Sequence, residues 1–113
     1  MLTYTRLKKK TTRFLTMTGL TVAEFEALLP SFSQAWQDAL AERDAAKPRQ
    51  RKTGGGRKPV LKNCEERLLF ILVYFKLYPL QEVQGELFGL SQSQANEWIQ
   101  RLTPILQAAL DYQ

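Results

Sequence analysis

Residues 78–99 constrain the chain more than any other stretch. They read Tyr78-Pro79-Leu80-Gln81-Glu82-Val83-Gln84-Gly85-Glu86-Leu87-Phe88-Gly89-Leu90-Ser91-Gln92-Ser93-Gln94-Ala95-Asn96-Glu97-Trp98-Ile99. Pro79 stops the helix before it and suits the first position of the next. Leu80, Val83, Leu87 and Phe88 follow at helical spacing and are expected to point inward. Gly89 stands where a helix needs a left-handed residue to end, and Ser91 where the next needs an N-cap. The second helix runs from Gln92 to about Ala109, with Ala95, Trp98, Ile99, Leu102, Ile105, Leu106 and Leu110 as its buried stripe. Two helices, a glycine turn and a small residue, Gly85, for close packing give a helix-turn-helix, whose second helix can enter a DNA major groove.

The outward positions on that last helix are Gln92, Ser93, Asn96, Glu97, Gln100 and Arg101. Gln and Asn suit adenine edges, and Arg suits guanine or phosphate. Gln92, Ser93, Asn96, Gln100 and Arg101 are therefore the candidate base-reading residues.

The remainder also reads as helix. Thr21 and Glu24 have the spacing of a capping box. Phe25, Leu28, Leu29, Phe32, Trp36 and Leu40 form the stripe behind it, with a kink or break expected at Pro30. Asn63 and Glu66 offer a second cap before Arg67 to Leu77, a helix apolar nearly all round. Its burial calls for cover on most sides, and Leu68, Leu69, Leu72 and Phe75 are the candidate interface for a second copy. Pro104 predicts another kink or break. Val60-Leu61 is the one place with a trace of strand pattern. The expected fold is all-α, four to five helices with a C-terminal helix-turn-helix. Its parts are a basic N-terminal arm (1–19), a helical segment (20–46), a flexible basic Gly/Pro linker (47–59) and the helix-turn-helix domain (60–113).

Charge sharpens the functional reading. The net charge is +5 over 113 residues, unevenly spread. Residues 1–19 hold Arg6, Lys8, Lys9, Lys10 and Arg13 with no acid, and residues 47–62 hold Lys47, Arg49, Arg51, Lys52, Arg57, Lys58 and Lys62 with no acid. The other two parts, 20–46 and 63–113, are net acidic. Runs of base without acid suit phosphate contact with counterion release, and Gly56-Arg57-Lys58-Pro59 has the look of a minor-groove arm. Candidate backbone contacts are thus Lys8, Lys9, Lys10, Arg49, Arg51, Lys52, Arg57, Lys58 and Lys62.

Other classes are disfavoured. No histidine is present, which removes histidine bases and histidine metal ligands. The carboxylates show no pairing for metal-dependent catalysis, and the triple glycine lacks the Gly-Lys-Ser/Thr of a phosphate loop. No catalytic residue, metal or cofactor is expected. The single cysteine, Cys64, reads as structural and fits a reducing, cytoplasmic setting. Leu68 to Phe75, the longest apolar run, is too short to span a bilayer. Trp36 and Trp98 lie on apolar faces and read as core.

With these residues in place the chain resembles the N-terminal part of bacterial insertion-sequence transposases of the DDE superfamily. The resemblance rests on Arg13 to Pro30, on Gly55-Gly56-Arg57-Lys58-Pro59 with Glu65 to Phe75, and on Tyr78-Pro79 through Ala95. It implies a module that recognises the inverted-repeat ends of a transposon on double-stranded DNA, located with the nucleoid when bound. In the family that module joins a ribonuclease-H-like nuclease domain, whose catalytic acids have no matching positions here. The expectation is a split-gene product or a fragment that binds and does not cut. The competing expectation is an interaction module that forms homodimers, or docks on and regulates a catalytic transposase subunit.

Overall fold

The computed structural model describes residues 1–46 and 60–111. Among these residues there are six helices and no strand: α1 (Tyr4–Leu7), α2 (Thr11–Thr18), α3 (Val22–Ala46), α4 (Cys64–Leu77), α5 (Gln81–Phe88) and α6 (Gln92–Asp111). The all-α expectation holds, with more helices than the four to five foreseen. Val60 and Leu61 form no strand. The 47–59 linker lies outside the described residues.

The caps explain where the helices begin. Thr21 and Glu24 make the full reciprocal box, Glu24 N–H donating to Thr21 Oγ1 at 3.1 Å and Thr21 N–H to Glu24 Oε1 at 2.9 Å. Asn63 Oδ1 accepts from Glu66 N–H at 2.9 Å at the head of α4. The Glu66 carboxylate does not return to Asn63. It accepts from the Tyr4 N–H, 3.1 Å from Oε2, and so caps a helix sixty-two residues away in sequence. Burial pushes the Glu66 carboxyl above its usual range, and the Tyr4 N–H and Lys62 pull against that.

The N-terminal segment is not a loose arm. Tyr4, Leu7 and Phe14 are buried. The Tyr4 ring stacks on Phe25 with centroids 4.9 Å apart and meets Phe14 edge-on at 6.1 Å. Its hydroxyl donates to Glu26 at 2.9 Å. Leu2 N–H donates to Leu87 O at 2.8 Å, which ties the N-terminus to the end of α5. Two aromatic residues, Tyr4 and Phe14, together with Leu7, hold the segment to the core despite its charge.

Neither proline breaks its helix. α3 runs through Pro30 and α6 through Pro104. Both prolines are exposed, as are Glu26 and Gln100 four residues earlier. Each proline thus sits on the exposed side of its helix, and buried stripes on either side hold the helices together.

One core joins both halves of the chain. Phe25, Leu28, Phe32, Ala35 and Trp36 of α3 pack with Leu68 to Ile71 and Val73 of α4, and with Ala95, Ile99, Leu102, Ile105, Leu106 and Ala109 of α6. The greasy helix α4 is covered by α2, α3 and α6 of the same chain. Leu68 and Leu69 are fully buried there, so they do not supply a surface for a second copy. On α6, Ala109 takes the inward place expected of Leu110, which is exposed, and Trp98 is half-buried.

Candidate nucleic-acid interface

α5, the turn and α6 form the site. α5 ends in a Schellman motif: Leu90 N–H donates to Gly85 O at 2.8 Å and Gly89 N–H to Glu86 O at 3.5 Å, with Gly89 left-handed at φ 72°. A β-carbon on Gly85 would lie 2.5 Å from Leu90 O and 3.0 Å from Ser91 O. Only a glycine lets α5 approach the turn this closely. That contact also sets the rotation of α5. Gln84, Gly85 and Phe88 face inward, while Leu80 and Val83, expected inside, are 75% and 46% exposed. The inward face is shifted by one residue from the apolar pattern.

α6 starts on a capping box, Gln94 N–H to Ser91 Oγ at 3.1 Å and Ser91 N–H to Gln94 Oε1 at 3.0 Å. Gln92, Ser93, Glu97 and Gln100 are exposed on its outward face. The first turn carries no acid, so its positive dipole end is not offset. This gives a capped helix N-terminus with amide and hydroxyl side chains exposed on the face that would meet base edges.

Two of the candidate readers stand elsewhere. Asn96 is half-buried, and its Oδ1 accepts from Gln81 at 3.1 Å and from Gln100 at 3.3 Å. It links α5 to α6 instead of standing free. Arg101 leans away toward α3, its guanidinium 4.4 Å from the Trp36 ring and 5.3 Å from the Trp98 ring. Burial, then Arg43 and Arg67, hold its pKa below the usual value. Helical periodicity put both residues on the outer face; the packing of α3 and α5 along its two edges claimed them.

Of the candidate backbone contacts, Lys8, Lys9, Lys10 and Lys62 are exposed, with Lys8 Nζ 5.0 Å from the Tyr4 ring. Arg49, Arg51, Lys52, Arg57 and Lys58 lie outside the described residues. Arg6 and Arg13, not singled out from the sequence, join the patch. With Lys9 and Lys10 they surround a cleft shared with Met1 and Leu2, and Met1 Sδ lies against Gly89 in the turn. The available signal was the acid-free basic run itself, since Arg6 lies in α1, Arg13 in α2, and Lys9 and Lys10 between them. Of the four candidate interface residues, Leu72 is half-buried and Phe75 is 41% exposed. Exposed apolar residues gather instead where α4 meets α5: Phe75, Leu77, Tyr78, Leu80 and Val83.

Residues 59–111 match the family described as the helix-turn-helix of DDE superfamily endonuclease. Over these residues the chain is similar to that family. The match covers just under half of the 113 residues. The matched segment comprises α4, α5 and α6, and α1 to α3 pack on it from outside. Comparison with curated proteins and with solved structures finds no match. Among the described residues, no group of three carboxylates or thiols converges to hold a metal ion, and no helix is long and apolar enough to cross a membrane.

Proposed function

We propose that the chain binds double-stranded DNA, with α6 in the major groove, and that its target is the inverted-repeat end of a transposon. The observation that carries this reading is the α5–turn–α6 unit itself: closed at Gly85, capped at Ser91, and matched to a DNA-handling family. Gln92, Ser93 and Gln100 read base edges, with Glu97 suited to a cytosine amine. Arg6, Lys9, Lys10 and Arg13, beside the turn, hold phosphates. The chain binds and does not cut; strand cleavage belongs to a ribonuclease-H-like catalytic unit.

The test is a salt series of binding to random duplex DNA against the inverted-repeat ends of the host element. A steep fall in affinity with salt, and a preference for the ends of tenfold or more, about 1.4 kcal/mol, is the expected result. Gln92→Ala or Ser93→Ala then erodes the preference. Salt-insensitive or absent binding overturns the reading.

A second reading has its own observation. The exposed apolar corner at Phe75, Leu77, Tyr78, Leu80 and Val83 is a surface of the kind that meets protein. Under this reading the chain pairs with itself or docks on a catalytic transposase subunit. Sedimentation across a concentration range tests the pairing, and Leu80→Ser should shift it toward monomer.

A further inference from the structure

Three guanidinium groups gather where α3, α4 and α6 meet. Those of Arg67 and Arg101 lie 4.2 and 4.4 Å from the centroid of Trp36. The Trp98 ring runs alongside, centroid 6.1 Å from that of Trp36 and inclined 23° to it. Arg43 and Arg101 line one cleft of about 510 Å³ together with Trp98 and Glu97. Among the described residues none of the three arginines forms an ion pair, although the Glu97 carboxylate borders the cleft.

Three like charges so close repel one another. The tryptophan faces offset part of this through cation–π attraction, and an anion placed among the guanidinium groups would offset the rest. Three residues separate Arg43 from the stretch 47–59, which carries six bases and no acid. The chain resumes its described course beside the cluster, where Arg67 Nε donates to Leu61 O at 3.1 Å. A planar guanidinium matches phosphate in a bidentate geometry.

The position on α6 indicates which phosphate. Arg101 is nine residues beyond Gln92, which on a helix is roughly 13 Å. The major groove is about 12 Å wide. Nine residues are also about two and a half turns, so Arg101 leaves α6 on its α3 side, and with Arg43 it lies one groove width along the axis from the first turn, toward the backbone that borders the groove. We propose that Arg43, Arg67 and Arg101, ordered by Trp36 and Trp98, clamp a DNA backbone phosphate on the α3 side of the recognition helix. The clamp would be supplied mainly by residues outside the base-reading face. It rests on the DNA-binding reading above.

Arg43 is exposed, so Arg43→Gln leaves the core intact; circular dichroism checks this. The full chain and Arg43→Gln are titrated with random duplex DNA and with the inverted-repeat ends at several salt concentrations. The slope of log affinity against log salt should fall in magnitude, by at most the roughly 0.9 of one phosphate because Arg67 and Arg101 remain, while the ratio of end to random affinity is unchanged. Trp36 and Trp98 are the chain's two tryptophans, so intrinsic fluorescence reports on this cluster alone and should change as DNA binds. Arg101→Lys, which keeps the charge and loses the planar stack, should weaken binding with little change in slope. An unaltered slope in Arg43→Gln, with DNA binding intact and fluorescence flat, removes the clamp and leaves the DNA reading standing. A parent chain that binds no DNA removes both.

Discussion

Gln84 carries a whole amide into the core. It is fully buried, its Nε2 donates to Phe70 O at 2.9 Å, and its Oε1 has no partner. An unsatisfied buried acceptor costs about 1–3 kcal/mol, and Phe70 O sits within a helix, where the backbone offers it another donor. Gln84→Met keeps the volume and removes the orphan atom. It should leave stability unchanged or raise it by up to about 1.5 kcal/mol; a loss of more than about 1 kcal/mol in urea unfolding would show that Oε1 is satisfied in solution. Tyr4 makes a prediction in pH. Burial, then the hydrogen bond to Glu26, then the charges of Glu26 and Glu65, push its phenol from 10.0 up to about 12. A pKa raised on folding contributes stability that is complete below the unfolded value and lost as pH rises through the folded one. The parent chain should therefore lose stability relative to Tyr4→Phe between pH 10 and about 12, and not below it. Urea midpoints of the two chains across that window decide the matter, and parallel curves refute it.

The helix-turn-helix depends on one side chain being absent. At Gly85 a β-carbon would meet the Leu90 carbonyl oxygen at 2.5 Å, and that atom belongs to backbone, which cannot swing aside. Alanine favours helix by roughly 1 kcal/mol over glycine, yet overpacking of this kind costs about 1–3 kcal/mol. Gly85→Ala should be destabilising on balance and should displace α5 from α6, lowering end-specific DNA binding more than random binding. A thermally stabilised variant with unchanged specificity would contradict the close-approach argument. This element was largely legible in the sequence, because proline, glycine and serine mark helix ends through local chemistry. The caps at Thr21, Asn63 and Ser91 and the left-handed Gly89 fall where that chemistry puts them. The phase of α5 was less legible. Leu80, Val83 and Leu87 gave a plausible apolar stripe, but Gly85 sets the rotation, and a glycine adds nothing to a hydrophobic pattern. The outer face of α6 was misjudged at its edges for a related reason. Periodicity shows which residues leave a helix outward, and cannot show that Gln81 and Trp36 wait beside Asn96 and Arg101.

At the scale of the molecule, the matched helix-turn-helix does not stand alone. α4 is apolar on nearly every side; α6 and the Gln84 and Phe88 side chains of α5 cover only part of it, and α2 and α3 cover much of the rest. This dependence could be suspected from the excess of apolar residues between Leu68 and Phe75. Its solution could not, because charge made the N-terminal segment look solvated. Its aromatic and leucine positions, Tyr4, Leu7 and Phe14, are what bind it to the core, and its lysines and arginines remain outside. Each such side chain contributes about 1.5–3 kcal/mol on burial, and the segment also supplies the Tyr4 N–H to Glu66 and the Leu2 N–H to Leu87. Removing residues 1–18 thus withdraws an amount comparable to the whole stability of a small domain, about 5–15 kcal/mol. The shortened chain should lose its cooperative thermal transition and expose apolar surface to a hydrophobic dye, and residues 59–111 in isolation should do the same. If instead the truncated chain unfolds cooperatively with a midpoint near that of the parent, α1 and α2 are attachments to the fold and not part of its core. In that event their arginines and lysines would have to be explained by DNA contact alone.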